Sequence, residues 1–582
     1  MVGWQRRVRL GMVFAALATL ALLAGCNLPG QQTSDLANDQ TLKIVLPLDG
    51  GGENPLANLD PAQGLYPPYL QASSLLFDGL LTLDRNGHVE PWGAQSWTVS
   101  PDGLAYTFTL RPHQRFSDGA PVKASDYAWS IDRIANPCLS LFNYDSSVFT
   151  DYSFLALVKD APAFHNETCA RGQPTGAITS LIGDALLPND SAGTLTFILS
   201  HPAGYFLAAL ATSWSDVVER SVMTGANLGG DGAWTKQLDA GKTGQGGSGM
   251  FYLADAETGA AATTSGKLTL KPNPHWWGLS VGKTPHFSEV DILIGGLNTF
   301  LDDTSIGYGD VLGSSALPGV LPEIKRAPYF RETPSFSMAV LHFNWKVAPF
   351  DDLNARKAFC LAIDRVALDQ QVMKGNDIPG WHITPQGMDG YNAQLRGLDG
   401  APATGDAALA QQYWGRYLTA HHNHAPQITI PATSLFLHSG NGARPLAQMW
   451  KQVLGVDARI ASPDLQYSYS APWMQMNDYV AGVDFPDPED VLSWLAFPNV
   501  YGSDVPAAQP LLRRADALGD VSQRIPLYQQ AEQLLIDNVT VCPLFQVVDA
   551  YVLRPWVKGD FAQNGLGVIP NDAWVSGYIA KH

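Results

Sequence analysis

An uninterrupted apolar run, Leu10–Ala24 (LGMVFAALATLALLA), follows Arg6, Arg7 and Arg9 and gives way to small residues. It is too short to span a bilayer comfortably and has no stop-transfer flank. A basic start, an apolar middle and a small-residue end read as an export signal. Whatever follows must therefore fold outside the cytoplasm. Glycine and proline, 55 and 40 of 582 residues, punctuate the chain and predict short elements joined by many turns. With Arg6, Arg7 and Arg9 removed, 33 bases face 54 acids, a net charge of −21. That balance argues against nucleic acid as a partner and against adhesion of the folded part to anionic lipid.

The signal ends in Leu23-Ala24-Gly25-Cys26. This matches the bacterial lipoprotein pattern, in which cleavage after residue 25 leaves Cys26 to be lipid-modified. An ordinary signal peptide with an incidental cysteine is the alternative. Two or three acyl chains hold a protein at a membrane where one does not. Residues 26–40 are polar and form a flexible tether, and the folded part begins near Thr41. Export makes disulfides permissible. Cys138 (ANPCLS) and Cys169 (NETCAR) share a polar, turn-rich context and are expected to be bridged, worth about 3–4 kcal/mol in the chain-entropy model. Cys360 falls on the apolar face of a helix and Cys542 follows NVTV, so both are expected to be buried free thiols.

Thr41–Leu48 reads as a strand and Leu104–Arg111 alternates as a half-exposed one. A helix begins near Ser125, which is expected to cap it. Asp102-Gly103, Asp118-Gly119 and Asn273-Pro274 are turns. Ala358, Leu361, Ala362 and Val366 share one side of a single helix, with Asp364-Arg365 as a local ion pair.

Several segments together resemble the extracytoplasmic solute-binding proteins of the oligopeptide/dipeptide class that serve ATP-driven importers. They are Phe77-Asp78-Gly79-Leu80, Trp97, Tyr106–Arg111, Phe116–Gly119 and Ala124–Tyr127. The likeness continues through Gly247–Gly278, Met338–Gly375, VDFPDPEDVL and RIPLYQQAEQLLIDNVTVCPLF, covering nearly all of the mature chain. It implies a two-lobed α/β periplasmic-binding-protein-like fold with an inserted subdomain and a two-strand hinge. The main lobe would comprise 41–78, 193–335 and 548–582, the inserted subdomain 79–192 and the second lobe 336–547. A monomer anchored outside the bacterial membrane would capture a peptide between its lobes and deliver it to an integral-membrane permease, with no cofactor. An oligosaccharide, opine or metal chelate is the alternative solute. An exported hydrolase on the same scaffold is the alternative of another class.

Asp484, in VAGVDFPDPEDVL, stands between Val483 and Phe485. Peptide-holding members of the class grip the peptide α-ammonium with the equivalent aspartate. A carboxylate in a closing cleft is desolvated, and an ammonium compensates that cost. The other readings make Asp484 a cap for the following helix or the partner of a protein cation. Gly482 and Val483 offer backbone groups beside it. Tyr467 or Tyr469 on the second lobe, and Tyr66 and Tyr69 on the first, are further ligand contacts, against ordinary packing.

Catalytic signatures are missing. AGKTG (Ala240–Gly244) has Lys236 where a phosphate loop needs glycine, and neither His-Glu-x-x-His nor Gly-x-Ser-x-Gly occurs. HHNH (His421–His424) sits in a polar stretch and reads as a solvated loop, not a metal site. The lipid assignment has a direct check: Cys26→Ser should move the protein from the membrane fraction to the soluble one on cell fractionation.

Overall fold

The computed structural model describes residues 35–46, 59–61, 67–138, 154–171, 173–223, 246–257, 266–311, 324–431, 442–461 and 474–582. The signal segment and Cys26 lie outside them. Among the described residues no helix is long and apolar enough to cross a membrane.

The chain enters as strand β1 (Thr41–Leu46), followed by helix α1 (Pro67–Leu76). Next come β2 (Ala94–Val99), β3 (Ala105–Leu110), helix α2 (Ala124–Ala135), β4 (Leu186–Asn189) and β5 (Thr194–Ile198). These four strands form one sheet in the order β2-β3-β5-β4. The alternation read in the sequence places Tyr106, Phe108 and Leu110 inward, where Phe154, Phe197 and Phe206 complete a core. That core runs from Leu80 to Val217, so the expected boundary at 192 falls inside the β4–β5 hairpin, whose two strands share this sheet. Helix α2 is capped differently from the expectation. The Asp126 carboxylate accepts from Lys123 N at 2.8 Å in a capping box, while Ser125 donates to Asp190 through both N and Oγ. Arg133 at its far end makes a buried bidentate pair with Asp60, both contacts 2.7 Å, which ties the subdomain to the segment after β1.

A nine-stranded sheet organises the rest. Its strands are β6 (Phe251–Glu257), β7 (Lys267–Pro272), β8 (Glu289–Ile294), β9 (Ile306–Val311), β10 (Phe330–Phe343), β11 (Met476–Ala481) and β12 (Cys542–Leu553), together with β1 and the short strand Ile378–Pro379. The order is β6-β7-β8-β1-β9-β12-β10-β11, with Ile378–Pro379 on β12. β1 runs parallel to both neighbours, and the remaining pairs are antiparallel. β10 and β12 are long enough to serve two lobes. Residues 330–334 pair with 548–552 beside one core, and 338–341 pair with 542–546 beside another. The ladder is interrupted between Pro334 and Met338. There Phe336 N turns aside to Gly565 O at 2.7 Å, and Gln546 Nε2 donates to Ser335 O at 2.8 Å. Only glycine fits at 565, because a Cβ would sit 2.4 Å from the Phe336 ring.

The second lobe packs Phe343, Phe359, Trp414, Trp450 and Tyr528 in a single core. Its helical segment departs from the sequence reading. Leu353–Leu361 and Arg365–Val372 are two helices, broken where the Asp364 carboxylate accepts from Ala367 N and caps the second. Asp364 therefore serves the backbone. Arg365 is fully buried, stacks on Trp381 and donates to Pro543 O at 2.6 Å, which corrects the expected local pair. The free-thiol expectation is corrected too. Cys360 and Cys542, 182 residues apart, are bridged, because the first helix and the start of β12 face one another in this core. Such proximity leaves no mark in linear sequence. Cys138 and Cys169 are bridged as expected.

The long loop closed by Cys360–Cys542 should make that bridge a large contributor. Replacing both cysteines with alanine should lower stability by about 3–5 kcal/mol, read from the urea midpoint. An unchanged midpoint would show that the bridge adds nothing to the packed core.

Candidate functional site

A cavity of about 570 Å³ lies between the lobes. Ser335, Ser337, Val547 and Asp549, on the two long strands at the interrupted ladder, form one side. Thr82, Trp92, Trp214 and Asp216 come from the first-lobe side, and Asp377, Gly482, Val483 and Asp484 from the second. Asn564 and Asn571 reach it from the closing segment of the chain.

The first-lobe wall is stiffened from behind. Asp78 is fully buried and accepts from Trp92 Nε1 at 2.6 Å and Trp277 Nε1 at 3.0 Å. Burial pushes its pKa to about 7 against those hydrogen bonds. The Phe-Asp-Gly-Leu element thus orients the indole that faces the cavity. Gly79 is required beside it, since a Cβ there would lie 2.8 Å from Asp216 Oδ1.

Asp484 lies just beyond β11 and is exposed in the cleft, where the nearby walls take away part of its hydration. Desolvation raises its pKa to about 6. Its backbone N donates to Asp490 Oδ2 at 2.7 Å, and its own carboxylate takes no hydrogen bond from the described residues. The two competing roles belong to Asp487 instead. Asp487 caps the helix Pro488–Ala496 by accepting from Glu489 N at 3.0 Å, and it holds Arg524 through two contacts of 2.8 and 2.9 Å. Asp484 is left to the cleft. A smaller pocket of about 260 Å³ opens beside it, lined by Tyr479, Val491 and Trp494. Asp490 also lines that pocket, and its Oδ1 is buried without a partner.

Next to Asp484 the two sides of the cleft touch. Phe485 stacks on Tyr205 with ring centroids 5.7 Å apart and enters the core of the inserted subdomain. Gly204 N donates to Asp516 O at 2.6 Å, an approach that no side chain at 204 would allow, since a Cβ would be 2.0 Å from Leu518 O.

Of the sequence-predicted contacts, Gly482, Val483 and Asp484 line the cavity. Tyr69 lies in α1 with its side chain outside what the structure describes, and Tyr66, Tyr467 and Tyr469 fall outside the described residues altogether. Sequence reasoning missed Asp216, Asp377, Asp549 and Asn571. Asp549 carried the same signal as Asp484, an acid inside the apolar run PLFQVVDAYVL. The other three sit in turn-like or mixed context and gave none. Among the described residues no cluster of His, Cys, Asp and Glu is arranged to hold a metal ion, and His422 and His424 are exposed.

The family of bacterial extracellular solute-binding proteins, family 5 Middle, matches residues 88–503. The chain is 25% identical to the periplasmic murein peptide-binding protein MppA of Escherichia coli K12, covering 90% of this chain and 92% of that one. It is 24% identical to the oligopeptide-binding protein OppA of Bacillus subtilis 168, covering 95% and 96%. The solved structure of MppA, a periplasmic murein tripeptide-binding protein, in its unliganded open form superposes with a TM-score of 0.72 at 23% identity, over 94% of this chain and 99% of that one. That likeness establishes the two-lobed fold. A match over most of the chain, with a cleft between lobes hinged on two strands, makes this protein a member of the bacterial extracellular solute-binding proteins of family 5.

Proposed function

We propose that this protein captures a peptide between its lobes and presents it to the permease of an ATP-driven importer. The observation that carries the reading is the Asp484 carboxylate, which faces the inter-lobe cavity with no hydrogen bond from the described residues. An α-ammonium fits there, because a charge-assisted pair offsets the desolvation that raises the Asp484 pKa. Gly482 and Val483 supply backbone groups alongside, and the pocket lined by Tyr479 and Trp494 receives the adjoining side chain. The names of the relatives, a murein peptide-binding and an oligopeptide-binding protein, support the same class of ligand. Cys26 carries the lipid that holds a monomer on the outer side of the bacterial membrane. The main lobe is built from residues 41–78, about 218–335 and 548–582. The inserted subdomain is residues 79 to about 217, and the second lobe is 336–547.

Calorimetry with short peptides tests this. Wild type should bind stoichiometrically without turnover, whereas steady release of cleaved product would make it a hydrolase. Asp484→Asn keeps the shape and removes the charge, and should weaken binding by roughly 30-fold or more, as loss of a desolvated ion pair costs about 2–5 kcal/mol. Equal affinities would remove Asp484 from the site.

The same pair sets a pH dependence. The free carboxylate has a raised pKa of about 6, and a bound ammonium lowers it. Affinity is therefore full above about pH 6 and is lost as pH falls toward the bound-state pKa. A drop of about tenfold between pH 7.5 and pH 5 is expected for this one group, with a shallower slope in Asp484→Asn.

A further inference from the structure

We propose that the small pocket beside Asp484 selects ligands with a large apolar side chain at one, and only one, of their first two residues. The proposal rests on the peptide reading above and adds the side-chain class of the ligand. Strand register fixes where the pocket lies. Met338 and Val340 on β10 stand opposite Ala481 and Tyr479 on β11, and all four line the small pocket. Ala339, between them, stands opposite Val480 and Phe545, and these three line the large cavity. Side chains alternate along a strand, so pocket and cavity occupy opposite faces of one sheet.

The two spaces meet at the edge of that sheet. Among the described residues β11 is its last strand, and Val480, Gly482 and Asp484 line both spaces. Val480 is 39% exposed there, although it is apolar and belongs to a strand. A ligand anchored by its ammonium on Asp484 and extended along this edge points neighbouring side chains to opposite faces. One of them enters the large cavity, where Ser335, Ser337 and Asn564 offer polar groups. The side chain next to it enters the pocket.

What the pocket offers is apolar surface. Ile383, Val491, Leu495 and Val541 are buried around it. Tyr479 and Trp494, both half-buried, form its wall as an edge-to-face pair with ring centroids 5.8 Å apart. His342 backs Trp494 at 5.7 Å, and its full burial lowers its pKa to about 3, so it brings no charge to that wall. Among the described lining residues the charged groups are two acids. Asp484 is given to the ammonium, and the Asp490 Oδ2 accepts from Asp484 N at 2.7 Å. A carboxylate side chain would meet both acids and no cation, and a neutral polar one would lose its water without a partner in the apolar wall. The volume of about 260 Å³ falls below the roughly 300 Å³ at which pockets begin to hold whole small ligands, and suits one side chain.

The test uses the full-length protein in detergent. Calorimetry compares trialanine with peptides in which phenylalanine or glutamate replaces the first or the second alanine, and 2-phenylethylamine serves as a non-peptide probe. At one of the two positions phenylalanine should bind at least about tenfold more tightly than alanine, as expected for burial of one large apolar side chain. Glutamate there should bind no more tightly than alanine. At the other position, on the cavity face, the preference for phenylalanine should stay below about threefold. Trp494→Ala removes one wall and should cut the larger ratio at least about threefold. Ala481→Leu fills the pocket from its edge, should bring that ratio below about threefold, and serves if the first variant does not fold. Equal preference for phenylalanine at both positions, or at neither, would overturn the proposal and leave the peptide reading intact. So would tighter binding of glutamate at the selective position, or a ratio unmoved by both substitutions. If no peptide binds but 2-phenylethylamine does, and Ala481→Leu abolishes it, the pocket stands and the peptide reading fails. If nothing in the set binds, both fall.

Discussion

The pairing of Phe330–Phe343 with Cys542–Leu553 is the interaction on which the rest of the molecule depends. Two strands, and not one, cross from lobe to lobe, so the connection resists twisting while allowing bending. The bend has a defined place, because the ladder is interrupted between Pro334 and Met338 and its loose groups are taken up by Gly565 and Gln546. The same interruption frees Ser335, Ser337 and Asp549 to face the cavity. The interrupted ladder and the floor of the cavity are therefore one feature.

Buried charge is met mainly by hydrogen bonds from within the chain. Several buried charges are answered within the chain: Arg133 by Asp60, Arg524 by Asp487, and Asp78 by two indoles. Glu532, fully buried, accepts from the backbone N of Ile383 and Thr384 at 2.7 and 2.9 Å. Removing one partner of such a pair leaves an uncompensated charge, which costs more than the pair contributes. Asp484 differs in place: its carboxylate lies in the inter-lobe cavity and takes no hydrogen bond from the described residues.

Local patterns were legible because they are local. Alternation over Leu104–Arg111 encodes a strand whatever surrounds it, and Asp102-Gly103 and Asp118-Gly119 encode turns, with glycines at φ of 72° and 92°. Where a competing local signal existed, reading failed. The apolar spacing through Ala362 hid the cap by Asp364 that splits the helix, and Asp126 took the capping role assigned to Ser125. The puzzle of Asp484 was half legible. Sequence marked an acid in apolar company, but only coordinates show Asp487 taking both the cap and the arginine.

By itself the sequence determined export, the alternation of short strands and helices, the order of the family's segments and the identity of one acid worth following. Those properties depend on neighbours a few residues apart. The tertiary structure alone decided that Cys360 meets Cys542, that Arg365 is spent inside the second-lobe core, and that Asp377, Asp484 and Asp549 share one cavity. Each brings together residues tens to hundreds of positions apart. Linear sequence carries no record of such a meeting, because the packing of whole lobes, not any local preference, sets the distance.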